Sequence, residues 1–529
     1  MHLKTRLVIW LHFHNSKDYI MKYIYTILSL TIALFIFGCS KDKGNYDYVS
    51  KEVITINGIE SAYTKIAAVD RITVDPEVSS TEKDADFECF WGVYDSRVLG
   101  VLVIDTIAKT KAIDYQISQS PKDWTLVFGA KNKKTGVSKY VISVLKVGTQ
   151  FSRGWYVLKD DGGQTDLDLF KSSVGIVPED KVENVYSVIN GKKLNGKASL
   201  LNFQFNYRTN PTGAYTTFRS LYLMSDKDVS VVDISSLKEL NDFNHLFYEV
   251  PATKAPGIIT WGALGGNYIV NDGQLHSLNA NLTSNTGHFG ARRVKDGVNT
   301  PYKLSKYFMM GNGQNPIFFD EMSSSFVSCA ASPTVLNLLT DGTNTMISVN
   351  NSNKNLLFMG TKTASPYTGY AILQDKTNPA IKLLSSLTPA FPKLTIGSET
   401  IKVTDKLYNA TNYTLILDDE NLLYFTLGNQ VWSRNLSNQN EQLQFTAPAG
   451  EEITFIRHRK YASTVQTEAP FRYNYVMIGT KIGANYKVRM FTKTSGNLSP
   501  APEFTLEGKG SVGDVMYISP SNSVYLNNF

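Results

Sequence analysis

Apolar and polar residues alternate along most of this chain with the period of a β-strand. Short runs rich in Val, Ile, Tyr, Phe and Trp are broken by Gly, Asp, Asn, Pro and Ser, the punctuation of sheets and tight turns. Between Val49 and Val147 the runs are Val53 to Ile56, Arg71 to Val74, Phe87 to Trp91, Val101 to Ile104, Trp124 to Phe128 and Tyr140 to Leu145. Some six or seven strands in about a hundred residues is the size of an immunoglobulin-like sandwich. Trp91 stands where a central strand of such a sandwich buries a tryptophan, so it is expected in the core.

Gly154 opens a second regime. Phe151 to Phe170 reads as an apolar strand, an Asp/Gly turn and an alternating strand. Related hairpins return at Ser220 to Val232, Asn267 to Leu278, Pro316 to Cys329, Gly369 to Leu384, Asn421 to Leu436 and Asn474 to Phe491. They begin near positions 155, 221, 268, 316, 370, 422 and 475, at intervals of 47 to 66 residues. That interval suits a four-stranded blade, and its repetition predicts a β-propeller over residues 151–529. Seven blades fit, with six or eight left open. The last strand, Asp514 to Ser519, is placed to pair with the first blade and close the ring, which removes exposed edges. Helix-period stretches are few. Ser235 to Leu240 and Ser332 to Leu339 are read as single turns decorating loops.

The start of the chain has another character. Met21-Lys22 gives a positive beginning, Tyr23 to Phe37 is an uncharged apolar run, and Gly38 precedes Cys39. The run is short for a membrane span, and Lys41, Asp42 and Lys43 follow at once. Ile36, Gly38 and Cys39 resemble the lipobox of bacterial lipoproteins, whose cysteine is lipidated after cleavage; Phe37 is bulkier than that pattern usually has. Residues 1–20 hold a second positive, apolar beginning, read as lying upstream of the true start at Met21. The expected division is a signal peptide over 1–38, a lipidated tether over 39–48, a sandwich over 49–148 and the propeller over 151–529.

Charge and cysteines narrow the function classes. The chain has 53 Lys+Arg and 47 Asp+Glu; without residues 1–38 the balance is 49 to 46, interspersed rather than blocked. That argues against a nucleic-acid groove. With Cys39 acylated, Cys89 and Cys329 remain, in different expected domains, so stability is expected from hydrophobic burial rather than a disulfide. Neither Cys-x-x-Cys nor His-Glu-x-x-His occurs, and no metal or cofactor is expected.

Several local marks now combine. With Gly38-Cys39-Ser40, Gly44-Asn45-Tyr46-Asp47-Tyr48, the strand Phe87 to Tyr94 (FECFWGVY) and Gly154-Trp155-Tyr156-Val157-Leu158, the chain resembles the PKD-like family lipoproteins of Bacteroidetes over nearly its whole mature length. The resemblance implies an outer-membrane lipoprotein, held in the membrane by its lipid, working beside a TonB-dependent transporter and its SusD-like lid. It implies no catalytic residues. Lys41-Asp42 partly resembles the acidic surface-export signal, so the exterior is the expected orientation.

The remaining chemistry is diffuse. Gly508, Gly510 and Gly513 match G-x-G-x-x-G, but a strand rather than a helix follows, so a loop is expected there instead of a nucleotide site. Asp160, Asp161, Asp166 and Asp168 crowd one hairpin. They are read as a solvated turn, with calcium left open. Asp418, Asp419 and Glu420 read the same way. His245, His276, His288 and His458 each stand alone and read as structural residues. Gly-x-Ser-x-Gly is missing. Trp261 with Asn267 and Tyr268, and Tyr367 with Tyr370, are candidate contacts for a sugar ring or peptide side chain; filling the wedge between blades is the other reading. Asn344 to Asn355 is a loop that could rim a pocket, and Asp105-Thr106-Ile107 resembles an O-glycosylation acceptor. The expected function is non-catalytic binding of glycan, peptide or the transporter itself. Two alternatives stand beside it: a propeller hydrolase or lyase acting on polysaccharide, and a purely structural envelope protein.

Overall fold

The computed structural model describes residues 51–95, 103–211, 213–261, 266–280, 282, 284–311, 313–330 and 334–521. Cys39, the signal segment, the tether and the Gly44 to Tyr48 motif lie outside the described residues. Among the described residues, 51–54 with 80–84 belong to one compact unit, and 55–79 with 85–521 to another, which holds the features below.

The N-terminal alternation becomes two layers. A five-stranded sheet runs in the order Ala62–Ile66, Ser138–Gly148, Lys122–Asn132, Phe87–Tyr94 and Asp105–Ala108. Its first pair is parallel and the others are antiparallel. A ladder of Arg71–Val74 with Ile113–Gln116 supplies Ile72, Val74 and Ile113 to the core shared with Trp91, Leu126, Phe128 and Leu145. Trp91 is fully buried, and its indole N–H donates to the carbonyl of Lys111 at 3.0 Å. The predicted strand at Val101 to Ile104 is displaced. Val101 and Leu102 lie outside the described residues, Val103 and Ile104 are exposed, and pairing starts at Asp105. An edge strand has one unpaired side and tolerates the polar Asp105-Thr106 pair.

Beyond Gly148 the described residues form seven successive sheets of three to five strands, with one further two-residue ladder. Seven strands line the inside: β1 (Ala198–Thr209), β2 (Pro256–Trp261), β3 (Leu304–Met309), β4 (Lys354–Ala364), β5 (Tyr413–Leu415), β6 (Glu452–Tyr461) and β7 (Ser511–Ile518). Each approaches the next, and β7 returns to β1, so the array is cyclic. The predicted hairpins are the second and third strands of these sheets, from Gly154–Asp161 with Gln164–Lys171 to Tyr473–Ile482 with Asn485–Phe491. Both of their faces are covered, and in the second strands Trp155 to Leu158, Leu221 to Met224 and Val476 to Ile478 read as continuous apolar runs. Trp155 and Val157 enter the cluster shared with the sheet of β6, while Tyr156 and Leu158 enter the one shared with the sheet of β1. Further clusters fill the remaining wedges in turn. The tight turns fit their sequences: Gly162-Gly163 and Asp272-Gly273 both have positive φ at the two central positions, the primed geometry of a two-residue hairpin.

The last strand closes the ring as the sequence places it, though it starts at Ser511 rather than Asp514. β7 lies antiparallel to Gly154–Asp161, with Tyr517 opposite Trp155 and Val515 opposite Val157. The G-x-G-x-x-G glycines serve this crossover. Phe504–Lys509 ends one sheet, Gly510 turns at a φ of 106°, and β7 opens the next. A Cβ on Gly510 would sit 2.5 Å from the carbonyl oxygen of Asp160, and one on Gly513 would sit 2.3 Å from the backbone of Ala198.

Of the two predicted single turns, the first is present over residues 234–236, where Leu237 N donates to Asp233 O at 2.6 Å, but it does not extend to Leu240; the second is replaced by a strand where it is described. At Ser235, the Asp233 side chain accepts from the Ser235 N–H at 3.1 Å and from the Ser236 hydroxyl at 2.7 Å. That local bonding competes with a helix, and Glu239–Asp242 then forms a strand. Ser332 and Pro333 lie outside the described residues, and Val335–Leu338 is a strand paired with Ser325–Ser328. The α-helix among the described residues, α1 (Val185–Asn190), was not anticipated, because six residues are too few to show a helical period.

Trp155 should be a main support of the closed ring. Its ring lies 4.7 Å from that of Tyr473 and 5.2 Å from that of Tyr517, and its N–H donates to Ile176 O at 3.0 Å. Trp155→Ala is expected to lower the unfolding free energy in urea by about 3–5 kcal/mol. The exposed Ile142→Ala is expected to change it by less than about 0.5 kcal/mol. Equal effects would contradict the wedge role.

Candidate functional site: an axial cavity

Strands that line a closed ring face one another across its axis. A cavity of about 320 Å³ lies there, walled by residues of β1, β2, β3, β6 and β7 and of β5 with the residue before it. It sits where these strands begin. Gly513 and Gly257 line it together with Ser199, Lys306, Tyr307, Asn412, Tyr413 and Arg457.

The aromatic wall is held from behind. The Tyr307 ring meets Phe358 edge-on at 5.5 Å, and Phe358 in turn lies 5.2 Å from Tyr413. The Tyr413 hydroxyl donates to Ala410 O at 2.7 Å, and burial pushes its phenol well above the ordinary tyrosine range.

The charged wall belongs to β6 and β7. Asp514 is fully buried. Its two oxygens lie 3.1 and 3.2 Å from Arg459 Nη2, Oδ2 accepts from Leu201 N at 3.0 Å, and Arg457 Nε is 3.7 Å from Oδ1. One carboxylate thus faces two guanidinium groups. Burial draws the Arg457 pKa down from the ordinary arginine value, and Asp514 opposes that. An arginine remains protonated at any physiological pH. Lys306 adds a third cation at an exposed position.

The residues anticipated from sequence are scattered. Trp261 and Asn267 are directly opposite in register and buried, with Trp261 edge-on to Phe205 at 5.6 Å. Among the described residues neither the Trp261 indole nitrogen nor either Asn267 amide atom has a hydrogen-bond partner. Tyr268 points to the other face of its strand, into the cluster with Phe318 and Cys329. The structure therefore joins the first two and separates the third. Tyr367 is buried and stacked with Phe391, while Tyr370 lines a shallow pocket of about 440 Å³ with Lys362 and Asn421. In the Asn344 to Asn355 loop, Asn350 is tied down through its side-chain amide to Leu339 O at 2.7 Å. Asp105 and Thr106 are exposed on their edge strand. Cys89 and Cys329 are both free and buried.

The expectation of a solvated turn at the aspartate-rich hairpin is corrected at Asp166 and Asp168, while Asp161 is exposed and Asp160 half-buried. Asp166 and Asp168 are buried. Asp168 pairs with Lys159 at 3.0 Å and accepts from Tyr486 Oη at 2.8 Å and Asn184 N at 2.8 Å. Asp166 accepts from Ser187 N at 3.1 Å, ahead of α1's second turn, and Asp160 from Ala198 N at 3.1 Å. These carboxylates anchor neighbouring elements. Asp418 accepts from Ala364 N at 2.9 Å, and Lys493 lies 2.8 Å from Asp419 and 2.6 Å from Glu420.

Of the histidines, His245 sits beside Asp242 at 2.6 Å on the surface, and burial is the main cause lowering the pKa values of His276 and His288. Sequence reasoning missed Lys306, Tyr307, Asn412, Tyr413 and Arg457. The signal on offer was the run Arg457-His458-Arg459-Lys460 closing an apolar strand, since buried β-strands rarely carry three cations without a purpose.

The fold and cavity define an all-β protein with a propeller-like array behind an N-terminal two-layer region. Residues 39–198 match the PKD-like family. The match runs past the N-terminal layers and through the first sheet of the array to the start of β1. Among curated proteins none matches the sequence. Similar solved structures include a quinoprotein alcohol dehydrogenase-like protein from Bacteroides thetaiotaomicron, with 12% identity, a TM-score of 0.39, and coverage of 87% of this chain and 99% of that one. Another is YCF48 from Cyanidioschyzon merolae, with 8% identity, a TM-score of 0.33, and coverage of 70% and 99%. A third is the extracellular domain of a B. thetaiotaomicron protein described as a one-component system, with 9% identity, a TM-score of 0.33, and coverage of 86% and 68%. Likenesses at these levels carry nothing about chemistry.

His458, beside the cavity wall, gives a pH test. The Leu417 N–H donates to its Nδ1 at 3.2 Å, so Nε2 carries the proton and donates to Asn474 Oδ1 at 2.7 Å. Burial holds its pKa down to about 3. The unfolded value is about 6.5. Between these values the unfolded chain binds the extra proton, so this contribution is complete above about pH 6.5 and is lost as pH falls toward 3. His458→Gln is expected to flatten the fall of the urea midpoint between pH 7 and pH 4.5. An unchanged slope would contradict it.

Proposed function

We propose that residues 151–529 are a seven-bladed β-propeller that binds a small ligand in its axial cavity. In this reading the protein is a surface lipoprotein of the bacterial outer membrane, anchored through Cys39 and facing outward. It serves as a non-catalytic accessory of a TonB-dependent transporter with a SusD-like partner. Seven sheets, seven inter-sheet clusters and a cyclic order of inner strands support the blade number.

The observation that carries the functional reading is where the cavity lies. The N-terminal layers meet the ring at its other end. There Gly148, Ser152, Phe205, Arg219 and Pro520 line a cleft of about 500 Å³, and the Thr149 hydroxyl donates to Ser235 O at 2.7 Å. From Val512 to Pro520 the chain covers about 25 Å at about 3.3 Å per residue. The lining residues include no carboxylate or imidazole, and their ionisable groups are two cations and two phenols. Tyrosine rings beside Asn412 and Ser199 suit a glycan or a peptide side chain.

Purification of the protein from detergent-solubilised outer membranes tests this. The expected result is an acylated Cys39 peptide in mass spectrometry and a co-purifying TonB-dependent transporter. Unacylated protein in the soluble fraction, or recovery without any transporter component, would contradict it.

A further inference from the structure

We propose that the outer face of the N-terminal five-stranded sheet is a second ligand site, which takes a pyranose ring of a neutral glycan against Phe90 and Tyr140. It lies apart from the axial cavity and does not depend on the reading of that cavity.

The pattern of the sheet departs from what an exposed face requires. An antiparallel sheet with one face on a core alternates apolar inward and polar outward. Cys89, Trp91, Leu126, Phe128 and Leu145 do turn inward. Yet positions between them are apolar as well. Phe90, Gly129 and Tyr140 lie opposite one another across three strands, and Gly92, Val127 and Ile142 form the next row. Tyr140 and Ile142 are 55% and 61% exposed, and Val144 continues along the strand at 43%. Soluble proteins seldom leave such a face bare without a use for it.

Two glycines shape this face. A Cβ on Gly129 would sit 2.3 Å from Phe90 Cε1 and 2.9 Å from Tyr140 Cε1, so both rings lean over bare backbone, edge-on with centroids 6.2 Å apart. Ile104 closes over Gly92 in the same way. Phe90, Tyr140 and Ile104 line a groove of about 430 Å³, within the range of small-ligand sites.

The rim decides the occupant. Glu88, Thr106, Lys109, Lys131 and Ser138 line the same groove. All five are exposed, and among the described residues none of these side chains has a hydrogen-bond or ion-pair partner, nor has the Tyr140 hydroxyl. Glu88 and Lys131 are opposite in register without being joined. A carboxylate that accepts, ammonium groups that donate and hydroxyls that do both are therefore available together. A pyranose has the matching surface: a face of C–H bonds to set on an aromatic ring, and a girdle of hydroxyls that each donate and accept. An apolar protein side chain or a lipid tail would cover the same rings but would desolvate the rim charges without pairing them, which is costly.

Isothermal titration of the full mature chain tests this with cellohexaose, xylohexaose, mannohexaose, maltohexaose and laminarihexaose. At least one is expected to bind. Tyr140→Ala is expected to weaken that binding about tenfold or more, and Glu88→Gln several-fold. The urea midpoint of each variant is expected to stay unchanged, because both side chains are exposed. Loss with Tyr140→Ala alone would keep the ring contact and overturn the role of the rim. No binding of any of these oligosaccharides would overturn the proposal. Binding at full strength in both variants would overturn it too, by placing the glycan elsewhere, and would leave the axial cavity as a ligand site. Sedimentation tests the rival occupant: a dimer that Ile142→Glu breaks, with no oligosaccharide bound, would give this face to a second copy of the chain.

Discussion

Everything in the larger part of this protein depends on one strand pairing made across most of the chain. β7 lies beside Gly154–Asp161, and its side chains enter the wedges on either side: Met516 and Ile518 one way, Val515 and Tyr517 the other. Without that pairing two sheets would each show a bare apolar face, and an open array of sheets cannot hide such faces from water. A buried polar lock reinforces it. Arg153 bonds Glu468 at 3.0 Å, and Tyr461 donates to the same carboxylate at 3.1 Å. Ser519, just beyond β7, also donates to Glu468, so Arg153 and Ser519, which flank the first sheet, are both tied to the Gln466–Phe471 segment beside the last sheet.

The same closure makes the cavity. Inner strands that converge on an axis cannot all carry large side chains there, hence Gly513 against the backbone of Ala198. What remains is a small space walled by parts of the chain far apart in sequence. Placing Arg457, Arg459 and Asp514 beside it is expensive for the fold, since each must keep its partners in a low-dielectric setting. Breaking one partner in such a cluster costs more than the cluster gains, so these groups constrain the inner strands to one arrangement.

Much of the fold was legible in the sequence, for a physical reason. The second strands of the sheets are covered on both faces, so stretches of them are apolar without interruption, and two of the hairpin turns are Gly162-Gly163 and Asp272-Gly273. The inner and outer strands were not legible in the same way. β5 has only three residues, β6 passes from Ile453, Phe455 and Ile456 to Arg457-His458-Arg459-Lys460, and the outer strand Glu441–Thr446 is half-exposed. The site was hidden because it lies on the inner strands. Asp166 and Asp168 misled for a related reason. Aspartates beside a Gly-Gly turn look solvated, but Tyr486, which donates to Asp168, arrives from more than three hundred residues away. Trp261 and Asn267 stand side by side in local register, while the alternation of a strand carries Tyr268 to the opposite face.

Amide hydrogen exchange on the chain ended after Gly510, compared with the full chain, tests the closure most directly. If β7 is the fastening of the ring, amides in Gly154–Lys171, Ala198–Thr209 and Tyr473–Phe491 lose protection together, while Lys122–Asn132 in the N-terminal layers keeps its protection. Undiminished protection through all of these segments would show that the sheets hold together without the closing strand and would contradict the account.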